Sequence, residues 1–523
     1  METRKLEVGY GAIAIAVACL LAYAISLRNG FAFDDVVLIP GDPRVRDGQL
    51  GALLMRPYWN DTALALYRPL TSLSYALDWF LSPDKAAWFH LTNTIWHVLA
   101  SVFAFLLLTK YFDVRAALVA GLIFALHPVH VEAVANVVGR GELIAATFFL
   151  AACLIWQSNH TRKMRLILTA LCYAIAMLSK ESTVVLPAVL FIIDGTRKRN
   201  AGDYAVFFGI FVSFMLLRYS VVGGVAPSRL DPSIEVTTSY GQRFLTALQA
   251  WPVEAKLLLF PRTLLADYGP RTLMPITQFN SLAALGLTLI IATVVGGVVA
   301  LLQRKYVWAL ALLWFPITIL PVSNLIIPIG VLVAERTLYL PSLAICFAVA
   351  AVVSQAPKFA SAQAPKLVVT VILLALAART VTRVPVWKDT DTVMLALARD
   401  RPDSFRAQWH VARLARKRGN ASKAIQDYDR ALKLWPYREG LVQEAAAYGT
   451  EQGRKAWARD VAFYGTVRWP RNINFHRMVA GNAVDLGDTV TARRAVKQGL
   501  TVVPNDRILN DMWRAFGDND ENQ

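Results

Sequence analysis

The chain has 523 residues, of which 56% are hydrophobic and 17% charged, and its formal net charge is +17. Soluble domains average about a quarter charged residues, and the deficit here comes from long apolar blocks before about residue 380. The basic excess lies largely in short clusters between these blocks, which is typical of membrane orientation signals and argues against a nucleic-acid partner. The composition therefore excludes an ordinary soluble protein and predicts a polytopic membrane protein with a polar C-terminal region.

Eleven membrane-spanning helices are predicted, because a span needs roughly 20 mostly apolar residues. The segment 244–260 is also apolar, but it carries Glu254, Lys256 and two prolines, so it is predicted to be interfacial or re-entrant. The eleven predicted spans, the third and sixth of which are short, lie near 8–27, 91–109, 116–128, 141–157, 165–179, 183–194, 203–222, 280–302, 306–322, 337–355 and 366–381.

Lysine and arginine are distributed unequally between the two predicted faces. The face that holds the N-terminus carries most of them, including the cluster at 197–199, whereas the short connections on the other face carry Arg140, Lys180 and Arg336. Basic connections stay on the inner side of a membrane. With an odd number of spans, the C-terminal region is then predicted to lie on the outer side.

Carboxylates lie in both long outer segments. The first segment opens with Asp34 and Asp35 immediately after the first helix, and the second contains Asp267. Two adjacent carboxylates at a membrane rim can act as a general base or bind a cation. The plain alternatives are a helix cap for the aspartate pair and an ordinary loop position for Asp267.

His127, His130 and Glu132 lie close together in the sequence and suggest a metal site. Their spacing differs from that of the H-E-x-x-H motif, and Pro128 prevents a regular helix through the two histidines. A polar rim, hydrogen-bonded to the first outer loop, is therefore preferred. No metal site and no other cofactor is predicted, and a divalent cation stays open as an alternative.

Two charged dipeptides lie at predicted outer helix ends. Lys180-Glu181 is interpreted as a charged corner on the outer face, with a neutralised pair at a helix turn as the plain alternative. Glu335-Arg336 lies between apolar runs, where an arginine is costly unless it has a partner. Pairing with Glu335 is the plain alternative, although adjacent helical residues do not face each other. A guanidinium near the outer interface is well suited to a phosphate.

The C-terminal region repeats itself every 34 residues, which is the length of a tetratricopeptide helix-turn-helix unit. Small residues allow two helices to pack closely, glycine suits the turn between them, and proline ends the second helix. Three full repeats are predicted over about 403–504, within a repeat domain at 384–523 that follows a membrane domain at 1–383. The residues in register are Pro402, Pro436, Pro470, Pro504, Gly419, Gly453, Gly487, Ala412, Ala446, Ala480, Ala424, Ala458 and Ala492.

Taken in order, these motifs resemble the transmembrane and tetratricopeptide-repeat O-mannosyltransferases and their bacterial relatives, within the GT-C glycosyltransferase superfamily. Three repeats are fewer than the animal members carry. The blocks that carry the resemblance are Phe33-Asp34-Asp35, Tyr67-Arg68-Pro69-Leu70-Thr71, Phe89-His90-Leu91-Thr92-Asn93 with His97, the stretch His127 to Ala135, Gly139-Arg140, Ser179-Lys180-Glu181 and the stretch Ala334 to Ser342.

The resemblance implies an all-α GT-C membrane domain followed by an α-solenoid of tetratricopeptide repeats. It implies inverting transfer of a mannose-like sugar from a polyprenyl-phosphate-linked donor to a protein Ser or Thr hydroxyl, with the repeats binding the acceptor protein. Asp34 or Asp35 would be the base, and Arg336, with Arg140, would hold the phosphate. The residues that would shape the sugar and acceptor pocket are His127, His130, Glu132, Lys180, Glu181, Glu335, Arg68 and Asp267.

Three other functions are compatible with parts of the pattern. A non-catalytic membrane-anchored repeat scaffold would need only one span, and a transporter would place charges near the bilayer midplane in paired halves. A transferase acting on a lipid or polysaccharide acceptor is the third. The alanine-rich composition favours a bacterial inner membrane with the repeats in the periplasm, and the lumen of the endoplasmic reticulum is the alternative location.

Overall fold

A computed structural model describes residues 2–59, 66–196, 200–224, 237, 239–355 and 363–517 of the chain. Every regular element in these ranges is helical, as predicted. The described residues form two compact units, the first made of Met1–Tyr268 and Leu273–Val393 and the second of Gly269–Thr272 and Met394–Gln523. The predicted basic cluster at 197–199 lies outside the described residues.

The first unit begins with one long helix and a series of short ones. They are α1 (Glu2–Tyr23), α2 (Asp34–Leu38), α3 (Pro43–Arg46), α4 (Leu50–Met55), α5 (Pro69–Leu81), α6 (Ala86–Leu108), α7 (Val114–Leu126), α8 (Val131–Ala135) and α9 (Arg140–Trp156). It continues with α10 (Arg162–Ser179), α11 (Leu186–Ile193), α12 (Ala201–Val222), α13 (Tyr240–Leu248), α14 (Ala250–Leu259), α15 (Ser281–Leu302), α16 (Tyr306–Ile319), α17 (Leu343–Gln355) and α18 (Gln363–Arg383).

A helix lies at each of the eleven predicted span positions. Among the described residues, 6 helices are long and apolar enough to cross a bilayer, and a seventh span results if Val114–Leu126 and Pro128–Ala135, bent by 43°, are taken together. Shorter apolar helices lie at Glu181–Ile193, Tyr306–Val322 and Leu343–Gln355. The chain is therefore an integral, multi-pass membrane protein, and the number eleven stays a prediction.

Prolines determine two helix ends that differ from the predicted ones. The helix predicted at 337–355 starts only at Leu343, because Pro341 lacks a backbone N–H and would clash with the preceding turn. The helix predicted at 116–128 ends at residue 126, since His127 precedes a proline and adopts an extended conformation, with ψ of 123°. Both breaks create short irregular segments that carry charged or polar side chains.

Glycines allow the N-terminal helices of the first unit to pack closely. A Cβ atom at Gly121, on α7, would lie 2.7 Å from Cδ1 of Ile15 on α1. One at Gly11 would lie 2.6 Å from the ring of Phe105 on α6. Close approach through small residues is a common way for membrane helices to associate. This packing forms a base for the loops that follow α1 and α7.

The second unit consists of helix pairs. The pairs are α20 (Phe405–Lys417) with α21 (Ala421–Leu434), α22 (Glu439–Glu451) with α23 (Lys455–Arg468), and α24 (Ile473–Asp485) with α25 (Thr489–Val502), preceded by α19 (Thr390–Asp400) and followed by α26 (Arg507–Gly517).

The turn inside each pair contains one of the glycines in register. Gly419, Gly453 and Gly487 have φ angles of 74°, 71° and 74°, a left-handed conformation that glycine adopts without strain. The alanines in register are fully buried where the helices meet. The helical period and its turns are therefore present, whereas the assignment of these pairs as tetratricopeptide repeats stays a prediction.

Candidate functional site

Arg336 forms the centre of a cluster of charged side chains at helix ends in the first unit. It lies in a 3-10 turn, Glu335–Leu338, which exists because the following helix starts late. Its backbone N–H donates to Oε2 of Glu132, 2.9 Å away, and its Nη1 donates to the other oxygen of the same carboxylate. The Glu132 side chain is 1% exposed and that of Arg336 is 24% exposed. The buried carboxylate of Glu132 thus orients the guanidinium of Arg336, whose side chain stays partly exposed.

Asp34 acts electrostatically on Arg336. Burial lowers the pKa of Arg336, but the charges of Glu132 and Asp34 outweigh this effect and raise it above its ordinary value. Asp34 is the first residue of α2 and is partly buried. A carboxylate and a guanidinium are therefore brought together across 302 positions of the chain, from residue 34 to residue 336.

Asp35 has a different environment from Asp34, although sequence alone does not distinguish them. Its side chain is fully buried, and its two oxygens accept hydrogen bonds from the backbone N–H groups of Ala32, Val137 and Val138, at 3.1, 3.2 and 2.7 Å. Burial raises the pKa of Asp35 to about 7, and the three N–H donors oppose that rise. Asp35 therefore attaches the first loop to the segment before α9 through hydrogen bonds. Of the two carboxylates, that of Asp34 is the more accessible.

Lys180 and Glu181 do not pair with each other, so the alternative of a neutralised pair is wrong; their side chains point to different partners. Lys180 forms an ion pair with Glu142, in the first turn of α9. Glu181 accepts two hydrogen bonds from Arg68, from Nε at 2.9 Å and from Nη2 at 2.7 Å. The electrostatic effects on Lys180 come from Arg68, Glu181, Arg336 and Glu132, so these pairs are neighbours.

We call this group the charged cluster; its members are Asp34, Arg68, Glu132, Glu142, Lys180, Glu181 and Arg336. It contains three cations and four carboxylates, and each comes from a helix end or a turn. A small cleft opens beside it, between Lys180, Thr318 and Thr337. Of the members of the charged cluster, Lys180 and Glu142 line this cleft.

Arg140 is not available for the phosphate role that the resemblance implies. Its side chain is 1% exposed and forms an ion pair with Asp78 at 2.5 Å. Nε donates to Asn93 at 2.7 Å, and Nη2 donates to Thr92 at 2.7 Å and to a backbone carbonyl. With Nη1 also bonded to Ser74, every N–H group of this guanidinium points at a protein acceptor. Arg140 therefore joins α5, α6 and α9.

His127 and His130 are packed inside the protein. Nε2 of His127 lies 3.0 Å from the carbonyl oxygen of Leu258, and its Nδ1 accepts the N–H of Val129. Nε2 of His130 lies 2.9 Å from the hydroxyl of Ser342. Both rings are buried, His130 completely. The polar-rim interpretation was thus wrong for these two residues, because their rings bond to Leu258, Val129 and Ser342 and not to the first outer loop.

Glu335 points away from Arg336, so the alternative of an internal pair is wrong. Its Oε1 accepts hydrogen bonds from the backbone N–H of Leu265 and from the hydroxyl of Tyr268, the latter at 2.8 Å. Asp267 is partly buried and precedes Tyr268 in this loop. Glu335 and Arg336 are thus neighbours in one turn, but Glu335 bonds to the loop at Leu265 and Tyr268, and Arg336 bonds to Glu132.

Sequence reasoning missed two of the buried charges. Asp78 was not considered, although a carboxylate inside the apolar stretch Leu77-Asp78-Trp79-Phe80 indicates a buried partner. Glu142 follows Arg140 by two residues and was not assigned a role. Among the described residues, no three His, Cys, Asp or Glu side chains lie together in a way that could hold a metal ion.

Comparison with known proteins identifies relatives of this chain. Residues 81–220 match the family model described as dolichyl-phosphate-mannose-protein mannosyltransferase. Protein O-mannosyl-transferase F38B6.6 of Caenorhabditis elegans is 28% identical over 433 residues, which cover 80% of this chain and 62% of that protein. Human protein O-mannosyl-transferase TMTC3 is 30% identical over 65% of this chain and 41% of its own length. The chain thus spans about two fifths to three fifths of these relatives.

A solved structure of ArnT from Cupriavidus metallidurans, bound to undecaprenyl phosphate, also resembles the chain. It is 14% identical, covers 86% of this chain and 79% of its own, and superposes with a TM-score of 0.35. The murine protein O-mannosyl-transferase TMTC4, 26% identical, extends the sequence match to 81% of the chain and 65% of that protein. These matches reach beyond the residues that the family model covers.

Proposed function

We propose, from the premise that this chain belongs to the family of the transmembrane and tetratricopeptide-repeat O-mannosyltransferases, that it is a membrane glycosyltransferase. It transfers a mannose-like sugar from a polyprenyl-phosphate-linked donor to a Ser or Thr hydroxyl of a protein. The transfer takes place on the outer side of the membrane, which is the periplasmic side for a bacterial relative and the luminal side for an endoplasmic-reticulum protein.

The observation that carries the proposal is the arrangement of Asp34, Arg336 and Glu132. Such a transfer needs a carboxylate that accepts the hydroxyl proton and a cation that stabilises the phosphate as the sugar leaves. Arg336 is oriented by the buried Glu132, keeps 24% of its side chain exposed and interacts electrostatically with Asp34. Both chemical requirements are thus met by neighbouring groups.

In the proposed reaction, the hydroxyl oxygen of the acceptor forms a bond to the anomeric carbon of the sugar. The bond from that carbon to the phosphate oxygen breaks, and the configuration is inverted. The hydroxyl proton passes to the carboxylate of Asp34, and polyprenyl phosphate leaves with the electron pair of the broken bond. Charge then builds on the phosphate, where a planar guanidinium donates two parallel hydrogen bonds.

Lys180 and Arg68 would support the phosphate beside Arg336. Lys180 lines the small cleft and is held by Glu142. Arg68 is 16% exposed and is held by Glu181. Each cation has its own carboxylate partner, so it is fixed in position before a ligand arrives, and little reorganisation is needed during the reaction.

The helix pairs of the second unit would bind the acceptor protein. Stacked helix pairs form extended surfaces that suit a peptide segment. Trp409 is already engaged within the second unit, because its ring lies under the Arg413 guanidinium and its Nε1 donates to Glu444 at 3.1 Å. The peptide surface would instead be formed by exposed side chains of these helices.

The test is a transfer assay with the full chain in lipid vesicles. We expect labelled mannose to pass from polyprenyl-phosphate-mannose to a protein rich in Ser and Thr, and not from a nucleotide sugar. A lipid or polysaccharide that accepts the sugar when no protein does would replace the protein acceptor in the proposal. The absence of transfer to any acceptor, from chain that retains its helical content, would contradict the enzyme function.

A further inference from the structure

Buried hydrogen-bond donors lie at the end of the last apolar helix of the first unit. Arg383, the last residue of α18, is 2% exposed, and Trp387, one turn further along, is fully buried. Nε and Nη2 of Arg383 and Nε1 of Trp387 have no hydrogen-bond partner among the described residues. Nε and Nη2 form one edge of the guanidinium, the edge that binds two oxygens of a carboxylate or phosphate at once.

Glu335 is a carboxylic acid on which Arg383 acts electrostatically. The unpartnered atoms of the two side chains are not hydrogen-bonded to each other. The charge of Arg383 lowers the pKa of Glu335, whereas Oε2 of Glu335 and the Nε and Nη2 groups of Arg383 lack a hydrogen-bond partner in the described part of the chain. A buried guanidinium without an acceptor is strongly unfavourable. A small polar group that bonds to these atoms would therefore be stabilised.

The protonation of Glu335 decides which kind of group fits. Burial raises the pKa of Glu335 to about 8, against the opposing effect of Arg383, and so favours the neutral carboxyl group. Its Oε1 accepts hydrogen bonds from Leu265 and Tyr268 and so takes the role of the carbonyl oxygen. Oε2 then carries the proton and is a donor. The four unpartnered atoms are then all donors: Nε and Nη2 of Arg383, Nε1 of Trp387 and Oε2 of Glu335. They match a ligand that has only acceptors.

We propose that Arg383 and Glu335 form a second oxyanion site, which binds a phosphate group. A phosphate offers several acceptor oxygens and a charge that balances the guanidinium. Lipid headgroups and free phosphate supply the same chemistry, and α18 is apolar enough to end at a headgroup layer. The site is separate from the one at Arg336, because residues 335 and 336 point to different partners.

Calorimetric titration of the full chain in a neutral detergent tests the site. The probes are inorganic phosphate and, separately, a short-chain phosphatidylglycerol, whose phosphodiester does not change charge between pH 6 and 9. We expect saturable binding by the unmodified chain and at least about tenfold weaker binding by Arg383→Gln, which loses charge-assisted hydrogen bonds. Lys388→Gln is the matched control, since Lys388 is exposed and its loss removes the same charge without altering affinity.

Further variants separate this site from a structural role and from the charged cluster. Arg383→Lys keeps the charge but loses the planar edge, so it should restore part of the affinity that Arg383→Gln loses. Arg336→Gln should leave this binding intact. Binding of the lipid phosphate alone would identify a headgroup, and binding of both probes a general phosphate site. No saturable binding by the unmodified chain, or equal binding by Arg383→Gln, would overturn the proposal.

Binding should also depend on pH through Glu335. Above pH 8 the ionised carboxylate repels the phosphodiester, so affinity falls between pH 7 and pH 9. Glu335→Gln keeps a carbonyl oxygen and an N–H donor, and its affinity should be independent of pH. Affinity that rises with pH in the unmodified chain would contradict the proposal. The groups that act electrostatically on Glu335 are Arg383, Glu132 and Tyr268, and the elements packed against its turn also carry His130, Glu254 and Lys256.

Discussion

The two units use ion pairs in different ways. In the first unit, Arg140 and Asp78 are 1% and 5% exposed and come from different helices. In the second unit, Arg416 and Glu451 are 41% and 52% exposed. Exposed pairs contribute little because water and salt screen them, whereas removing one member of a buried pair leaves an uncompensated charge. The Arg140–Asp78 pair therefore fixes how its helices pack, whereas the Arg416–Glu451 pair contributes little to stability.

The largest expected effect follows directly from this contrast. Asp78→Asn leaves the Arg140 guanidinium buried without a counter-charge and should lower the free energy of unfolding by about 3–5 kcal/mol. Glu451→Gln breaks the exposed pair with Arg416 and should change it by less than about 1 kcal/mol. Thermal unfolding in neutral detergent, followed by tryptophan fluorescence, measures both. Equal shifts in the two variants would remove the distinction between the units.

A second comparison concerns Arg336 and Arg140, both in the first unit. Arg336→Lys keeps a charge beside Glu132 but loses the planar edge, so it should weaken binding of the lipid-linked donor by about tenfold while the unfolding temperature changes little. Arg140→Lys should do the reverse, because lysine cannot reach Asn93, Thr92 and Asp78 together. Donor binding and unfolding are measured on the same preparations. If both variants lose donor affinity equally, Arg140 belongs to the binding site after all.

The smallest effects are expected in the turns of the second unit. Gly453→Ala forces a residue with a Cβ atom into φ of 71°, which costs about 1–2 kcal/mol. No atom lies within 4 Å of the added Cβ at either Gly453 or Gly481, so space does not distinguish them. Gly481 lies inside α24, where alanine should stabilise by about 0.5–1 kcal/mol. Opposite signs in chemical unfolding of the full chain would support the turn assignment, and equal signs would contradict it.

The sequence predicted the second unit better than the first for a physical reason. A helix pair of the second unit buries its apolar face against its neighbours in the chain, so a 34-residue period carries the structural information. The apolar blocks likewise predicted where the helices of the first unit lie. Their ends were less predictable, and they shifted where Pro128 and Pro341 break the backbone.

The partners within the charged cluster could not be predicted in this way. Glu132 and Arg336 are separated by 204 positions, and no local pattern encodes such a contact. Adjacent charges were misleading, since Lys180 and Glu181 each bind a different residue. The roles of Asp34 and Asp35 became distinct only through the backbone N–H groups of the segment before α9. Motif order therefore identified the region, and the tertiary contacts assigned the roles within it.

The most direct test of the central claim separates donor binding from turnover in three aspartate variants. Asp34→Asn cannot accept a proton, so sugar transfer at saturating donor should fall by about 10²- to 10⁴-fold while donor affinity is retained. Asp47→Asn, an exposed position in the same loop, should behave as the unmodified chain. Asp35→Asn should lower the unfolding temperature, because it disturbs the loop attachment. Transfer by Asp34→Asn within a few-fold of the unmodified rate would contradict the assignment of Asp34 as the base.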